Sequence, residues 1–186
     1  MLSGCVSVTL PPRPEIIITP TPAHFSVCHG YSCCNITTLA LDDAQIQTLK
    51  ALLANDPGDA VAERQQLAKA IAAMEVWVGS HTGTDKDLGG TFPGAGKTGQ
   101  MDCIDESANT TTYLKIFSTS GWLHYHSVEP RRARGFLPWV WPHTSAVIRE
   151  IGTRQRYAVD SWFLDNGQAP FIVPLETWKH GWAPPQ

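Results

Sequence analysis

The stretch Gly99-Gln-Met-Asp-Cys-Ile-Asp-Glu-Ser-Ala-Asn-Thr-Thr-Thr-Tyr-Leu114 decides how the chain folds around its reactive groups. It follows a glycine-rich segment and predicts a loop that turns into a helix, with Cys103 at the turn. A thiol at a helix N-terminus lies at the positive end of the helix dipole, beside backbone N–H groups that the helix leaves unpaired. Both features favour the thiolate, which is the nucleophilic form of cysteine. Cys103 is therefore a candidate nucleophile.

Two later segments offer partners for a nucleophilic thiol. His143 begins an apolar strand, and Asp160 lies in the strand that follows a short loop at residues 152–155. A thiol enzyme needs a histidine that exchanges protons with the thiol and a carboxylate or amide that fixes the histidine tautomer. A regular hairpin with that loop pairs residue 147 with residue 160, four residues away from His143. Contact between the two side chains therefore requires a bulge, a longer effective loop or a strand that extends differently.

Composition favours one globular domain and argues against other classes of protein. Of the 186 residues, 42% are hydrophobic and 17% are charged, which is enough apolar material for a core and too little charge for a disordered chain. The formal charge of −3 and the lack of a long basic run argue against nucleic-acid binding. Seven tryptophans, several of them close to His143 in the sequence, predict aromatic walls around a cleft.

The N-terminal residues predict an anchor and a spacer. Met1-Leu-Ser-Gly-Cys5 matches a bacterial lipobox, in which the cysteine receives lipid, or matches it by chance, since no basic and apolar segments precede it. The prolines that follow are typical of a linker. We expect residues 1–24 to be this N-terminus and linker, and residues 25–186 to be a single domain. The chain is then a monomer of the periplasm or cell envelope that touches the membrane only through lipid on Cys5.

Helical periodicity comes first along the chain, and strand-like alternation follows it. This order predicts the α+β class, with N-terminal helices followed by an antiparallel sheet. The predicted helices cover residues 42–54, 59–78 and 103–117, and the predicted strands cover residues 122–128, 143–151 and 156–164.

Several polar residues have a structural and a functional interpretation. Glu75 lies beside the apolar stripe of the second helix, where a salt bridge at the rim is favoured over a buried functional carboxylate. His124 and His126 alternate to one face of a strand, and we interpret them as cleft or surface residues rather than as a metal pair. Asn109 is interpreted as an ordinary polar helix residue. His143 itself remains open to interpretation as a buried, hydrogen-bonded core histidine.

Three cysteines lie close together at Cys28, Cys33 and Cys34, next to His29. Their spacing does not fit a structural zinc site, which pairs such ligands with a second, distant pair. In an oxidising compartment a disulfide from Cys28 to Cys33 or to Cys34 is the simpler interpretation. The cysteine left over offers a partner for Cys103, which would silence the nucleophile.

The order and spacing of these residues resemble a known family. A cysteine at a helix start, a histidine 40 residues later at the head of a strand, and an aspartate 17 residues after that resemble the bacterial transglutaminase-like cysteine proteinases of the papain-related superfamily. The similar region covers roughly residues 99–163. The flanks at residues 63–75 and 157–167 look like uncharacterised small bacterial lipoproteins of that type. The resemblance implies a papain/transglutaminase-like core.

The resemblance also implies roles for individual residues. Cys103 would be the nucleophile, His143 the general base and acid, and Asp160 the group that orients the histidine. The backbone N–H of Cys103 and the side chain of Gln100 would form the oxyanion hole. Some proteinases of this type bind calcium through acids after the cysteine, and the candidates here are Asp102, Asp105 and Glu106. Acids at a helix start are also expected for dipole reasons alone, and no other cofactor is implied.

Two functions follow as hypotheses. The first is a cell-envelope thiol hydrolase, a peptidase or amidase, or an acyl transferase of the same type. It would act on a protein or peptide substrate through an acyl-thioenzyme. The second is a non-enzymatic envelope lipoprotein that keeps the fold and uses a tryptophan-lined cleft to bind peptide or glycan.

Overall fold

The computed structural model describes residues 16–90, 97–135 and 142–185, and contains helices together with antiparallel strands. The predicted α+β class is therefore confirmed, with one short hairpin ahead of the helices that the sequence did not reveal. The lipobox at residues 1–5 lies outside the described residues. In chain order the elements are β1 (Phe25–His29), β2 (Asn35–Leu39), α1 (Asp43–Leu53), α2 (Ala60–Thr82), α3 (Cys103–Thr119), β3 (His126–Arg134), β4 (His143–Glu150), β5 (Arg156–Asp160), β6 (Phe171–Pro174) and α4 (Leu175–Lys179).

The first two helices begin at aspartate caps and present apolar faces to the core. Asp42 accepts a hydrogen bond from the Gln45 N–H at 2.8 Å, and the Gln45 side chain accepts one from Asp42 N–H, which forms a capping box. Asp59 caps α2 by accepting a hydrogen bond from the Ala62 N–H at 2.7 Å. The apolar stripe of α2 is buried as predicted, and the helix continues to Thr82, where Gly83 ends it at a φ of 75°.

Helix α3 is surrounded by other elements on several sides. It contacts β1, β3, β4 and α2, so even its polar residues are buried. Asn109 lies opposite β1, where its amide oxygen accepts from Cys28 N–H at 2.7 Å and its amide nitrogen donates to Cys28 O at 2.8 Å. The interpretation of Asn109 as an ordinary helix residue is therefore wrong, because its side chain completes the backbone hydrogen bonding of a strand.

The larger sheet has the order β3-β4-β5-β6, and every neighbouring pair is antiparallel. A bulge between Glu129 and Arg132 interrupts the pairing of β3 with β4. Strand β5 ends at Asp160, not at residue 164, because the chain turns at residues 161–164 before it returns as β6. This early end makes Asp160 the last residue of β5, next to the loop that follows the strand.

The sheet is covered on both faces. Ala146 and Ile148 of β4 and Val159 of β5 join the main core with α2 and α3. Val147 and Ala158 point to the opposite face, where they form a second cluster with Leu175 and Trp178 of α4. The C-terminal helix therefore packs on the face that α3 leaves open.

A buried carboxylate joins α2 to the start of β3. Glu63 accepts hydrogen bonds from the backbone N–H groups of His124, at 2.5 Å, and Tyr125, at 3.0 Å, and from His126 Nδ1 at 2.6 Å. The other ring nitrogen of His126 accepts from Arg64, which also pairs with Glu150 at 2.8 Å. The prediction that His126 is a cleft or surface residue is therefore wrong, since its ring is buried in a structural network.

The end of the predicted linker is attached to the domain. Ile17 N–H donates to the Ser26 hydroxyl at 2.8 Å, and Leu41 N–H donates to Pro22 O at 2.8 Å. Thr119 of α3 donates to Pro20 O at 3.1 Å. Residues 17–22 thus follow the surface of the hairpin and α3.

Candidate active site

Cys103 is the first residue of α3 and carries a free thiol. The preceding Asp102 caps the helix by accepting from the N–H groups of Ile104 and Asp105, each at 3.0 Å. Asp105 in turn accepts from Asp102 N–H, which completes a capping box. The predicted loop-to-helix turn at Cys103 is therefore confirmed, and its position is fixed by the residues on either side of the cysteine.

The thiol lies against the backbone on both sides of His143. Its sulfur is 3.9 Å from Pro142 O, and the N–H of Thr144 donates toward it. Burial raises the pKa of the Cys103 thiol to about 11, and the carboxylates of Asp102 and Asp160 act in the same direction. Burial therefore outweighs the favourable effect of the helix end on the thiolate. Any ionisation near neutral pH needs a base beside the thiol.

His143 and Asp160 form a direct pair. His143 Nε2 lies 2.7 Å from Asp160 Oδ2, and both side chains are buried. A carboxylate only accepts hydrogen bonds, so Nε2 carries the proton and Nδ1 has the lone pair. This tautomer leaves Nδ1 able to take a proton from a neighbouring group.

The strand register explains how the pair forms. Arg149 pairs with Arg156 and Ala146 with Val159, so the same register places Ser145 opposite Asp160. The prediction of a four-residue offset is wrong, because the turn between the paired residues is longer than the loop at 152–155. The offset is two residues, which keeps His143 and Asp160 on the same face and diagonally adjacent.

Three aromatic rings lie beside His143, and the predicted cleft between aromatic walls stays a prediction. The ring centroids of Trp162, Phe163 and Trp178 lie 4.8, 5.4 and 5.5 Å from that of the imidazole. Trp162 and Phe163 come from the turn after β5, and Trp178 comes from α4. Trp139 and Trp141, the tryptophans nearest His143 in the sequence, lie outside the described residues.

Gln100 binds the backbone of the loop that follows α2. Its amide nitrogen donates to Lys86 O at 2.8 Å, and its amide oxygen accepts from Leu88 N–H at 3.2 Å. The side chain therefore fixes the loop that follows α2. The assignment of Gln100 to an oxyanion hole stays a prediction, and the geometry adds nothing to it.

The first two calcium candidates use their oxygens to bind backbone. Asp105 accepts from the N–H groups of Tyr31 and Cys33, each at 2.7 Å, and Asp102 accepts from Ser32 N–H at 2.9 Å. The disulfide between Cys28 and Cys33 closes the loop that supplies these donors. Within the described residues no group of three or more His, Cys, Asp and Glu side chains is arranged to hold a metal ion. Calcium therefore stays a prediction, without a ligand set to support it.

A cluster of buried carboxyl groups adjoins the site, and the sequence did not reveal it. Glu75 of α2 accepts from Gly167 N–H at 3.1 Å and bonds to Ser161, the residue after Asp160. Asp87 accepts from Met101 N–H at 2.8 Å and bonds to Glu106, the third calcium candidate. The prediction that Glu75 forms a salt bridge at the rim is wrong, because its side chain is buried in the domain. We call Glu75, Asp87 and Glu106 the carboxyl cluster.

Burial raises the pKa of each member of the carboxyl cluster. The pKa of Glu75 rises to about 8 and that of Asp87 to about 6, and that of Glu106 lies well above its ordinary value. Mutual repulsion of the carboxylates adds to the effect of burial. The hydrogen bond between Asp87 and Glu106 joins two carboxyl groups, so it requires a proton between them. The loops before Cys103 and after Asp160 are therefore held by groups that are partly protonated near neutral pH.

This cluster predicts that stability falls as pH rises. A carboxyl group whose pKa is raised on folding contributes fully below its unfolded pKa and loses that contribution as pH rises through its folded pKa. The free energy of unfolding of the wild type should therefore fall by on the order of 2 kcal/mol between pH 5 and pH 8. Glu106→Gln keeps a hydrogen-bond donor to Asp87 but removes the carboxyl group that titrates. Its free energy of unfolding should therefore depend less on pH than that of the wild type. Urea unfolding at four pH values measures both.

Glu176→Gln is the matched control, since the Glu176 side chain is 59% exposed. Its profile should follow that of the wild type. A Glu106→Gln profile as steep as that of the control would contradict a protonated cluster.

Within the described residues, none of the helices combines the length and apolar character that crossing a bilayer requires.

Comparisons with known proteins do not identify a relative of this chain. Neither the family models, nor the curated proteins, nor the solved structures that were searched gave a match to the chain.

Proposed function

We propose that this chain is a thiol hydrolase, a peptidase or amidase, that acts through Cys103, His143 and Asp160. The observation that carries the proposal is the 2.7 Å bond between His143 Nε2 and Asp160, beside a free thiol at a helix N-terminus. The order of the three residues resembles that of the transglutaminase-like cysteine proteinases, and a papain/transglutaminase-like core is part of the proposal.

The proposed reaction begins with proton transfer. His143 Nδ1 takes the thiol proton as the sulfur attacks the carbonyl carbon of the substrate, and the imidazolium is stabilised by Asp160. The imidazolium then gives that proton to the leaving amine, the C–N bond breaks, and a thioester remains on Cys103. Water attacks the thioester while His143 accepts its proton, and the proton returns to the departing sulfur. An amine in place of water would make the same site an acyl transferase.

Transition-state charge on the substrate oxygen needs hydrogen-bond donors. The N–H of Cys103 at the start of α3 is the donor we propose, because the first N–H groups of a helix have no partner within the helix. The positive end of the α3 dipole would stabilise the same negative charge.

The location in the cell envelope is also a proposal. The disulfide between Cys28 and Cys33 supports it, because disulfides persist in oxidising compartments. The substrate we propose is a protein or peptide of that compartment, cleaved by a monomer without a cofactor. Attachment to the membrane through lipid on Cys5 remains part of this proposal.

A binding module is the second candidate, and one observation favours it. The pKa of the Cys103 thiol lies at about 11, so the sulfur alone is a weak nucleophile at neutral pH. The aromatic rings of Trp162 and Phe163 beside His143 would then serve to bind peptide or glycan.

Cys103→Ala should abolish product formation from a peptide mixture. The purified wild type and the variant are incubated at pH 7.5 with a peptide library from envelope proteins, and new peptide termini are counted by mass spectrometry. We expect termini in the wild-type sample that are absent with Cys103→Ala, because the acyl-thioenzyme cannot form. Equal sets of products would contradict the hydrolase. Retention of the same peptides by both proteins, without cleavage, would support the binding module instead.

A further inference from the structure

One oxygen of Asp160 receives two hydrogen bonds. Asp160 Oδ2 lies 2.7 Å from His143 Nε2 and 2.6 Å from the indole Nε1 of Trp178. An indole nitrogen is only a donor, so the carboxylate is the acceptor in both bonds. Hydrogen bonds to charged acceptors are stronger than those between neutral groups. Trp178 therefore contributes to the position of Asp160 as directly as His143 does.

Trp178 is itself held on several sides. Its side chain is fully buried and packs with Val147, Ala158 and Leu175. The guanidinium of Arg134 lies 4.5 Å above its ring and donates a hydrogen bond to its carbonyl oxygen. A donor with so little freedom fixes the direction of the acceptor that it binds.

A carboxylate held only by the histidine can rotate about its Cα–Cβ and Cβ–Cγ bonds. The second donor restricts this rotation, because Oδ2 has to satisfy two groups at fixed positions. The Trp178 ring also lies beside the imidazole, with the centroids 5.5 Å apart and the planes tilted by 40°, and both His143 and Asp160 are buried. Exclusion of water strengthens the electrostatic interaction between the carboxylate and an imidazolium.

We propose that Trp178 is a positioning residue that orients Asp160 toward His143 through its indole N–H. Arg134 holds Trp178 in place, so the path runs from Arg134 through Trp178 and Asp160 to His143. This inference rests on the proposed function, since it assigns Trp178 to the same proton-transfer site. Trp178 touches no reacting atom, so its effect should appear only in steps that need His143.

The test compares Trp178→Phe with Trp182→Phe. Phenylalanine keeps an aromatic ring and removes the N–H. Trp182 is the matched control, since it packs at the edge of the same cluster and its ring contacts are with Phe163 and Phe171. The readout is the rate at which iodoacetamide alkylates Cys103 at pH 7 and at pH 10.5. At the higher pH, which lies close to the thiol pKa of about 11, solvent ionises a substantial fraction of the thiol directly, so the rate depends little on His143.

Loss of the indole N–H should lower the rate at pH 7 about tenfold, as expected for one hydrogen bond to a charged group. At pH 10.5 it should change the rate less than twofold, and Trp182→Phe should change neither rate. If Trp178→Phe behaves as the control while His143→Ala is slow at pH 7, this inference is overturned and the proposed function stands. If wild type and His143→Ala react equally at pH 7, the proposed function fails and this inference fails with it.

A spectroscopic measurement on the wild type covers the case in which Trp178→Phe does not fold. Because His143 and Trp178 share Oδ2, protonation of His143 alters the bond to the indole. The Trp178 indole 15N–1H resonance should therefore shift with the same midpoint pH as the His143 ring. An indole resonance that stays constant while His143 titrates would overturn the inference.

Discussion

Replacement of Glu63 by alanine should strongly destabilise the folded protein. The substitution removes the acceptor of the backbone N–H groups of His124 and Tyr125 and of Nδ1 of the buried His126. Leaving a buried donor such as His126 Nδ1 without its acceptor costs about 1–3 kcal/mol, and the loss of the two backbone hydrogen bonds adds to this cost. The melting temperature should fall by roughly 10 °C. Thermal unfolding followed by circular dichroism measures the change.

The contribution of Glu63 to the free energy of unfolding should decrease as pH falls. Burial alone would raise the pKa of Glu63, but the bonds from His126 and from the His124 and Tyr125 N–H groups outweigh it and lower the pKa. A carboxyl group with a lowered folded pKa contributes stability above its unfolded value and loses it as pH falls. The difference between wild type and Glu63→Ala should therefore shrink as pH falls below about 4.5.

Glu176→Ala serves as the matched control for Glu63→Ala. Glu176 pairs with Arg156 and Lys179 at the surface, and such pairs contribute about 1 kcal/mol or less. A Glu63→Ala variant no less stable than this control would show that the buried network does not hold α2 to β3.

Replacement of His143 by alanine should have the largest effect on reactivity. A thiol with a pKa of about 11 is ionised in only about one molecule in ten thousand at pH 7. Proton transfer to His143 places an imidazolium beside the thiolate, and this opposite charge offsets the cost of burial. The greater nucleophilicity of a more basic thiolate recovers part of the loss in the variant. We therefore expect His143→Ala to be alkylated about a hundredfold more slowly than wild type at pH 7.

The matched control for His143→Ala is His81→Ala. His81 is exposed on the last turn of α2, and its Nδ1 bonds to Trp77 O and to the Ser80 hydroxyl of the same helix. Its replacement should leave the alkylation rate unchanged. A hundredfold loss in this variant as well would indicate general damage rather than loss of a base.

Local patterns of the sequence predicted the elements that carry the candidate site. The cap at Asp102 fixes the start of α3, and a histidine at the head of an apolar run marks the start of β4. These signals depend on residues that are close in the chain, so they can be interpreted without the fold. The α+β class followed from the same periodicities.

Other features depend on contacts between distant residues, and the sequence did not reveal them. The two-residue offset of His143 and Asp160 depends on the turn that the chain adopts after Arg149. Trp178 lies 18 residues beyond Asp160 on another element, so no local pattern connects the indole with the carboxylate. The carboxyl cluster was missed because a single glutamate beside an apolar stripe is usually exposed. The burial that raises the pKa of the Cys103 thiol involves Pro142 and Thr144, which are distant from Cys103 in the chain, so no local pattern revealed it.

The most direct measurement of the central claim is the rate of Cys103 alkylation as a function of pH, for wild type and His143→Ala. We predict that the wild type reacts with iodoacetamide between pH 6 and pH 8. The variant should show one ionisation near pH 11 and little reaction below pH 9, because burial then acts on the thiol without a base. Identical profiles for the two proteins would contradict the claim that His143 activates Cys103.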